Sequence, residues 1–121
     1  VWIFGHSMGS VSVTEFANGG KDQEKLIAGV IVAGTYQTAS IDSDVVLPVL
    51  AIHHVEDGCS STPMAVSERI IEGRPKQFAA QLIRLDGGIS EGDPCGALAY
   101  HGFNQKEPEF IKAAAQFILK N

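Results

Sequence analysis

Gly5-His6-Ser7-Met8-Gly9 is a G-x-S-x-G pentapeptide. It directly follows the apolar run Val1-Trp2-Ile3-Phe4, the pattern of a buried strand, and leads into a segment from Met8 to Asn18 that suits a helix stopped by Gly19-Gly20. A serine held on so sharp a strand-to-helix turn has a strained backbone, and side chains in place of the two glycines would crowd the strand and the helix. Its hydroxyl projects above the carboxyl end of the sheet, beside the positive end of the helix. There the Met8 amide can donate to a developing oxyanion. The chemistry this serves is nucleophilic attack on an acyl carbon. The plainer reading is a Gly-rich turn carrying an incidental serine, and the partners available to Ser7 separate the two.

An activated serine needs a base and a group to orient that base. The apolar stretch Pro48 to Val55 runs into Glu56-Asp57-Gly58, which brings a carboxylate to the same sheet edge as Ser7. Asp57 is the first choice because Gly58 lets the chain turn at once; Glu56 is the reserve, and an Asp that merely stabilises its own turn is the plainer alternative. His101, in Tyr100-His101-Gly102-Phe103, follows the last strand-like segment and is the candidate base. His6 is expected to pack near the nucleophile rather than serve it, since its neighbour on the turn points elsewhere. The order Ser7, Asp57, His101 is one in which such a triad occurs.

These residues resemble the carboxyl-terminal half of the α/β-hydrolase family, with the likeness spanning nearly all of the chain. The resemblance implies an esterase- or lipase-like serine hydrolase in which Ser7 is the nucleophile, His101 the general base, Asp57 its orienting acid and Met8 one oxyanion amide, with no cofactor. It implies a second oxyanion donor from an earlier loop, for which this sequence has no counterpart, so the 121-residue chain is expected to be weak or inactive by itself. Thr35 to Leu47 is too short for a lid domain, which favours a small or accessible acyl substrate.

Cys59 lies two residues after Asp57 and Cys95 six before His101. If Asp57 and His101 meet, the sulfurs are brought close, and a bridge there implies an oxidising compartment, periplasmic or extracellular. Two unrelated free thiols, and a cytoplasmic protein, are the alternative. His53, His54, Glu56, Asp57, Cys59, Cys95 and His101 also invite a metal reading. Adjacent histidines on a strand face opposite ways and no ligand-type spacing appears, so the expectation is one packed and one loop-facing histidine and no metal site.

The elements that must position these residues alternate. Strand-like segments at Val1–Phe4, Leu26–Ala33, Pro48–Val55 and Phe78–Leu85 are separated by the first helix, a polar connection at Lys21–Lys25, the loop Thr35–Leu47 and a second helix. That helix begins with Thr62 as N-cap and Pro63 at its first position, and ends at Gly73. Arg84 and Gln81 suggest that the fourth strand lies near a sheet edge. After an irregular stretch from Asp86 to Phe103, a last helix runs from Pro108 to Lys120. The expected fold is α/β: one domain over 1–121 with a parallel sheet of about four strands and helices on both faces.

Composition agrees. Of 121 residues, 45% are hydrophobic and 19% charged, which suits one folded domain. Nine basic against fourteen acidic residues give a net charge of −5 with no block of like charges, which argues against nucleic acid or a basic membrane patch. The longest apolar run, Leu26 to Gly34, is too short to cross a bilayer. The chain opens inside a strand, as a cut or processed chain would. A non-catalytic alternative follows: a module whose first strand pairs with the missing half or with its own copy.

Overall fold

A computed structural model describes residues 1–121. In chain order its elements are β1 (Trp2–His6), α1 (Met8–Ala17), α2 (Lys21–Glu24), β2 (Gly29–Ala33), β3 (Val49–His54), α3 (Met64–Glu72), β4 (Ala80–Leu85) and α4 (Glu107–Lys120). Short runs rich in Val and Ile favour extended backbone, and strands joined through helices must run the same way. The four strands accordingly form an all-parallel sheet in the order β1-β2-β3-β4.

Period-two alternation divides the core cleanly. Val30, Val32, Val49 and Ala51 face α1 and α3, where Ala17, Val66 and Ile70 complete one layer. Ile31, Ala33, Leu50 and Ile52 point the other way and pack with Phe117 and Phe103 beneath α4. Helices thus cover both faces, and β2 and β3 are buried along their whole length. Removing a side chain such as Leu50, which has no exposure, costs about 3 kcal/mol or more. No helix is long and apolar enough to cross a membrane.

Because every strand runs in parallel, all four carboxyl ends share one edge. His6 pairs with Ala33, Ala33 with Ile52, and His54 with Leu85, so the loops bearing Ser7, Gly34, Asp57 and Asp86 leave the sheet side by side. The loop between β2 and β3 is held by Arg74, whose buried guanidinium donates to the carbonyls of Ile41 and Asp42 at 2.7 and 2.9 Å.

Several local expectations are corrected. Lys21–Glu24 forms one helical turn rather than a plain connection, secured where Glu24 accepts the Val46 amide and pairs with Lys21. Strand β2 begins at Gly29, not Leu26, because Leu26 and Ile27 still close the preceding turn. Thr62 does not cap α3: Pro63 occupies the cap and makes no side-chain bond, while the Thr62 hydroxyl is used elsewhere.

Candidate active site

Ser7 sits between β1 and α1 with φ 56° and ψ −122°, a backbone conformation that L-residues rarely adopt. Neighbouring bonds hold it there. Its amide donates to the Ala33 carbonyl at 2.9 Å, and its own carbonyl accepts from the Ser10 amide and the Ser10 hydroxyl. That Ser10 oxygen also accepts the Tyr36 amide at 3.0 Å, which ties the turn to the loop after β2. Gly5 is required by space: a Cβ there would lie 2.2 Å from the Gly9 carbonyl oxygen. Gly9 is not, since a Cβ on it would meet nothing within 4 Å, so the expected crowding holds at one glycine and fails at the other. Met8 opens α1, where backbone N–H groups lack intrahelical acceptors.

Asp57 follows β3 and its side chain is only 2% exposed. Its Oδ2 lies 2.8 Å from His101 Nδ1 and accepts from the Thr62 hydroxyl at 3.1 Å, and its Oδ1 accepts the Cys59 amide at 2.9 Å. Burial alone would raise the Asp57 pKa. The bonds from His101, His53 and the Cys59 amide outweigh burial and hold the carboxyl well below the usual carboxylate range. Glu56, the reserve, is exposed and makes no contact with His101.

His101 is carried on a single 3₁₀ turn, Tyr100–Gly102, and is buried. With Nδ1 donating to Asp57, its other nitrogen, Nε2, has no bond to protein. No buried polar side-chain atom in the molecule lacks a partner, so this nitrogen opens to the surface. The ring packs on His6 with centroids 4.7 Å apart, and His6 Nε2 donates to the His101 carbonyl at 2.9 Å. That bond commits the His6 proton to structure. Burial holds the His6 imidazole below its ordinary pKa, against the opposing effect of the carbonyl. Gly34 closes the group: with φ 48°, it brings its backbone so near that a Cβ would sit 3.0 Å from His101 Cε1 and 3.2 Å from His6 Nε2.

The structure therefore joins Asp57 directly to His101, and joins His101 to the residue preceding Ser7. No hydrogen bond links the Ser7 hydroxyl to His101. The disulfide is present: Cys59 and Cys95 are bonded, so neither thiol is free to ligate a metal. Their link ties the loop bearing the acid to the one that leads to the base. Both histidines at the end of β3 are buried, which corrects the expectation of a loop-facing one. His54 Nε2 donates to the Gly87 carbonyl at 2.7 Å and its ring stacks on Tyr100, so it clamps the loop after β4. Thr62 is a member of this group that its sequence context hides: Thr62-Pro63 is a strong helix-start signal, yet the hydroxyl serves Asp57 and His101 instead of the cap.

Beside the His6–His101 pair lies an open apolar hollow of about 330 Å³, lined chiefly by Phe4, Phe103, Phe110 and Ile111. No known family, curated protein or solved structure matches this chain.

Proposed function

We propose that this chain carries the catalytic machinery of a serine hydrolase of α/β-hydrolase type, acting on an ester or related acyl substrate. The observation that carries the reading is a buried carboxylate bonded to an imidazole whose far nitrogen is open, on the same sheet edge as a serine in a strained strand-to-helix turn. In this mechanism His101 takes the Ser7 proton through Nε2 while Ser7 Oγ bonds to the acyl carbon. Asp57 keeps Nδ1 protonated and stabilises the imidazolium that forms. The Met8 amide donates to the oxyanion; the His101 proton then passes to the leaving alcohol, and water repeats the sequence to release the acid. The hollow between Phe4, Phe103 and Phe110 suits an apolar acyl or alcohol group.

Hydrolysis of a short p-nitrophenyl ester tests this. Wild type should turn over and Ser7→Ala should not; equal rates in both would remove Ser7 from the mechanism. A second, non-catalytic reading draws on the edge position of β1 and the half-exposed Phe4 at 51%: the strand pairs with a further sheet segment or a second copy. Sedimentation separates the two readings, since a stable inert monomer supports neither and a dimer without turnover favours the second. Exposure of the bridged cysteines to an oxidising compartment, periplasmic or secreted, belongs to the same proposal.

A further inference from the structure

Asp57 faces a second histidine. His53, wholly buried on β3, has Nδ1 2.8 Å from Ser67 Oγ, Nε2 2.8 Å from the Thr62 carbonyl oxygen, and the same Nε2 3.3 Å from Asp57 Oδ2. A carbonyl only accepts, so Nε2 carries a proton. Ser67 Oγ in turn lies 2.7 Å from Thr35 Oγ1, and all of these groups are buried. Thr35 Oγ1 has no other partner. If Nδ1 were also protonated, Ser67 would have to donate to Thr35, and the Thr35 proton would be left without an acceptor. The assignment that uses every proton runs one way: Thr35 donates to Ser67, Ser67 to a neutral His53, and His53 to the Thr62 carbonyl, which leaves the same N–H dipole 3.3 Å from Asp57 Oδ2. The relay crosses the loop after β2, helix α3 and strand β3, and ends on the carboxylate oxygen that receives His101.

We propose that His53 is a positioning residue for the Asp57–His101 pair: a neutral N–H donor, pinned by Ser67 and Thr35, that fixes the orientation of Asp57 Oδ2 and sets how strongly it pulls on the His101 proton. The kinetic consequence rests on the serine-hydrolase reading; the spectroscopic one does not. Each donor to a carboxylate withdraws charge from it. Loss of the His53 donor makes Oδ2 a stronger acceptor, so the protonated form of the base persists to higher pH. The other titratable groups around the pair are His6 from β1, packed on His101, Tyr100 beside His101 in the turn, and Glu107 at the start of α4 across the hollow from His6. None of these three is bonded to Asp57; besides His101, His53 is the titratable side chain that reaches it.

The test compares His53→Phe, which keeps a ring but no donor, with His53→Gln, which restores an N–H. In the Phe variant, the acid limb of the kcat/KM profile for a p-nitrophenyl ester should rise by about half a pH unit, with kcat falling and KM little changed. The downfield proton resonance of the His101 Nδ1–H, identified by its loss in Asp57→Asn, should move. Gln should restore both readouts. A folded Phe variant with an unmoved profile and resonance, or a Gln variant indistinguishable from Phe, overturns the proposal. Should wild type hydrolyse no ester, the resonance alone decides: movement in the Phe variant supports the relay and an unmoved signal refutes it. Should His53→Phe fail to fold, Ser67→Ala takes its place, with the same direction and a smaller shift expected, and an unchanged resonance overturning the relay.

Discussion

The Asp57 carboxylate and the His101 imidazole lie 2.8 Å apart across 44 residues of chain. Two parallel strands ending at one sheet edge, a disulfide and a backbone approach at Gly34 make that meeting. Each of these supports can be removed separately, with a different expected result.

The backbone of Ser7 stores strain that a glycine would not feel. Replacement by Gly should stabilise the fold relative to Ser7→Ala by about 1 kcal/mol while both abolish ester turnover. Urea unfolding of the two variants measures the difference, and equal midpoints would show that the turn is relaxed.

Stability should depend on pH through Asp57. Its folded pKa is depressed, so the unfolded chain binds more protons in the window below the ordinary aspartate value of 3.8, and stability falls as pH drops through that window. Asp57→Asn should flatten the loss. His6 is depressed as well, so it adds a decline of the same sign that begins below about 6.5 and should vanish in His6→Gln. Thermal melting across pH in the three proteins tests both windows; an Asn variant that tracks wild type below pH 4 would contradict the first.

Gly34 combines a φ of 48° with the closest approach to the base. Gly34→Ala should lower kcat by about tenfold or more through displacement of His101, since small misplacements of a catalytic group are costly, while the chain still folds. Wild-type kcat in a folded Ala variant would free His101 from this constraint.

The bridge closes a separation of 36 residues. Replacing Cys59 and Cys95 together by serine should cost roughly 4 kcal/mol in the chain-entropy account, read from denaturant midpoints. It should also lower turnover, because the acid's loop and the base's loop then lose their covalent link and rely on noncovalent contacts such as Asp57–His101 and the bonds of Thr62.

Much of the fold was written in local pattern. The Val- and Ile-rich runs through Val30 and Val49 gave the strands, and the intervening helices made a parallel sheet follow. Arg84 and Gln81 foretold that β4 is an edge. The shared sheet edge of Ser7 and Asp57 was legible because each directly follows a strand, and the contact of Asp57 with His101 because His101 sits between the last strand and the last helix. What escaped notice depends on distant chain. Lys21–Glu24 carries no apolar period and is helical only because Val46 and Lys21 engage Glu24. His54 is buried because Gly87 and Tyr100, far along the chain, close over it. Thr62 satisfied a local rule that a tertiary demand overrode.

The central claim is that Ser7 is a nucleophile activated through His101. Prolonged incubation with a fluorophosphonate, followed by peptide mass analysis, tests it most directly. The account predicts one adduct, located on Ser7, absent in Ser7→Ala and much slower to form in His101→Ala. A folded protein that stays unmodified, or one modified at Ser7 equally fast without the imidazole, would contradict it.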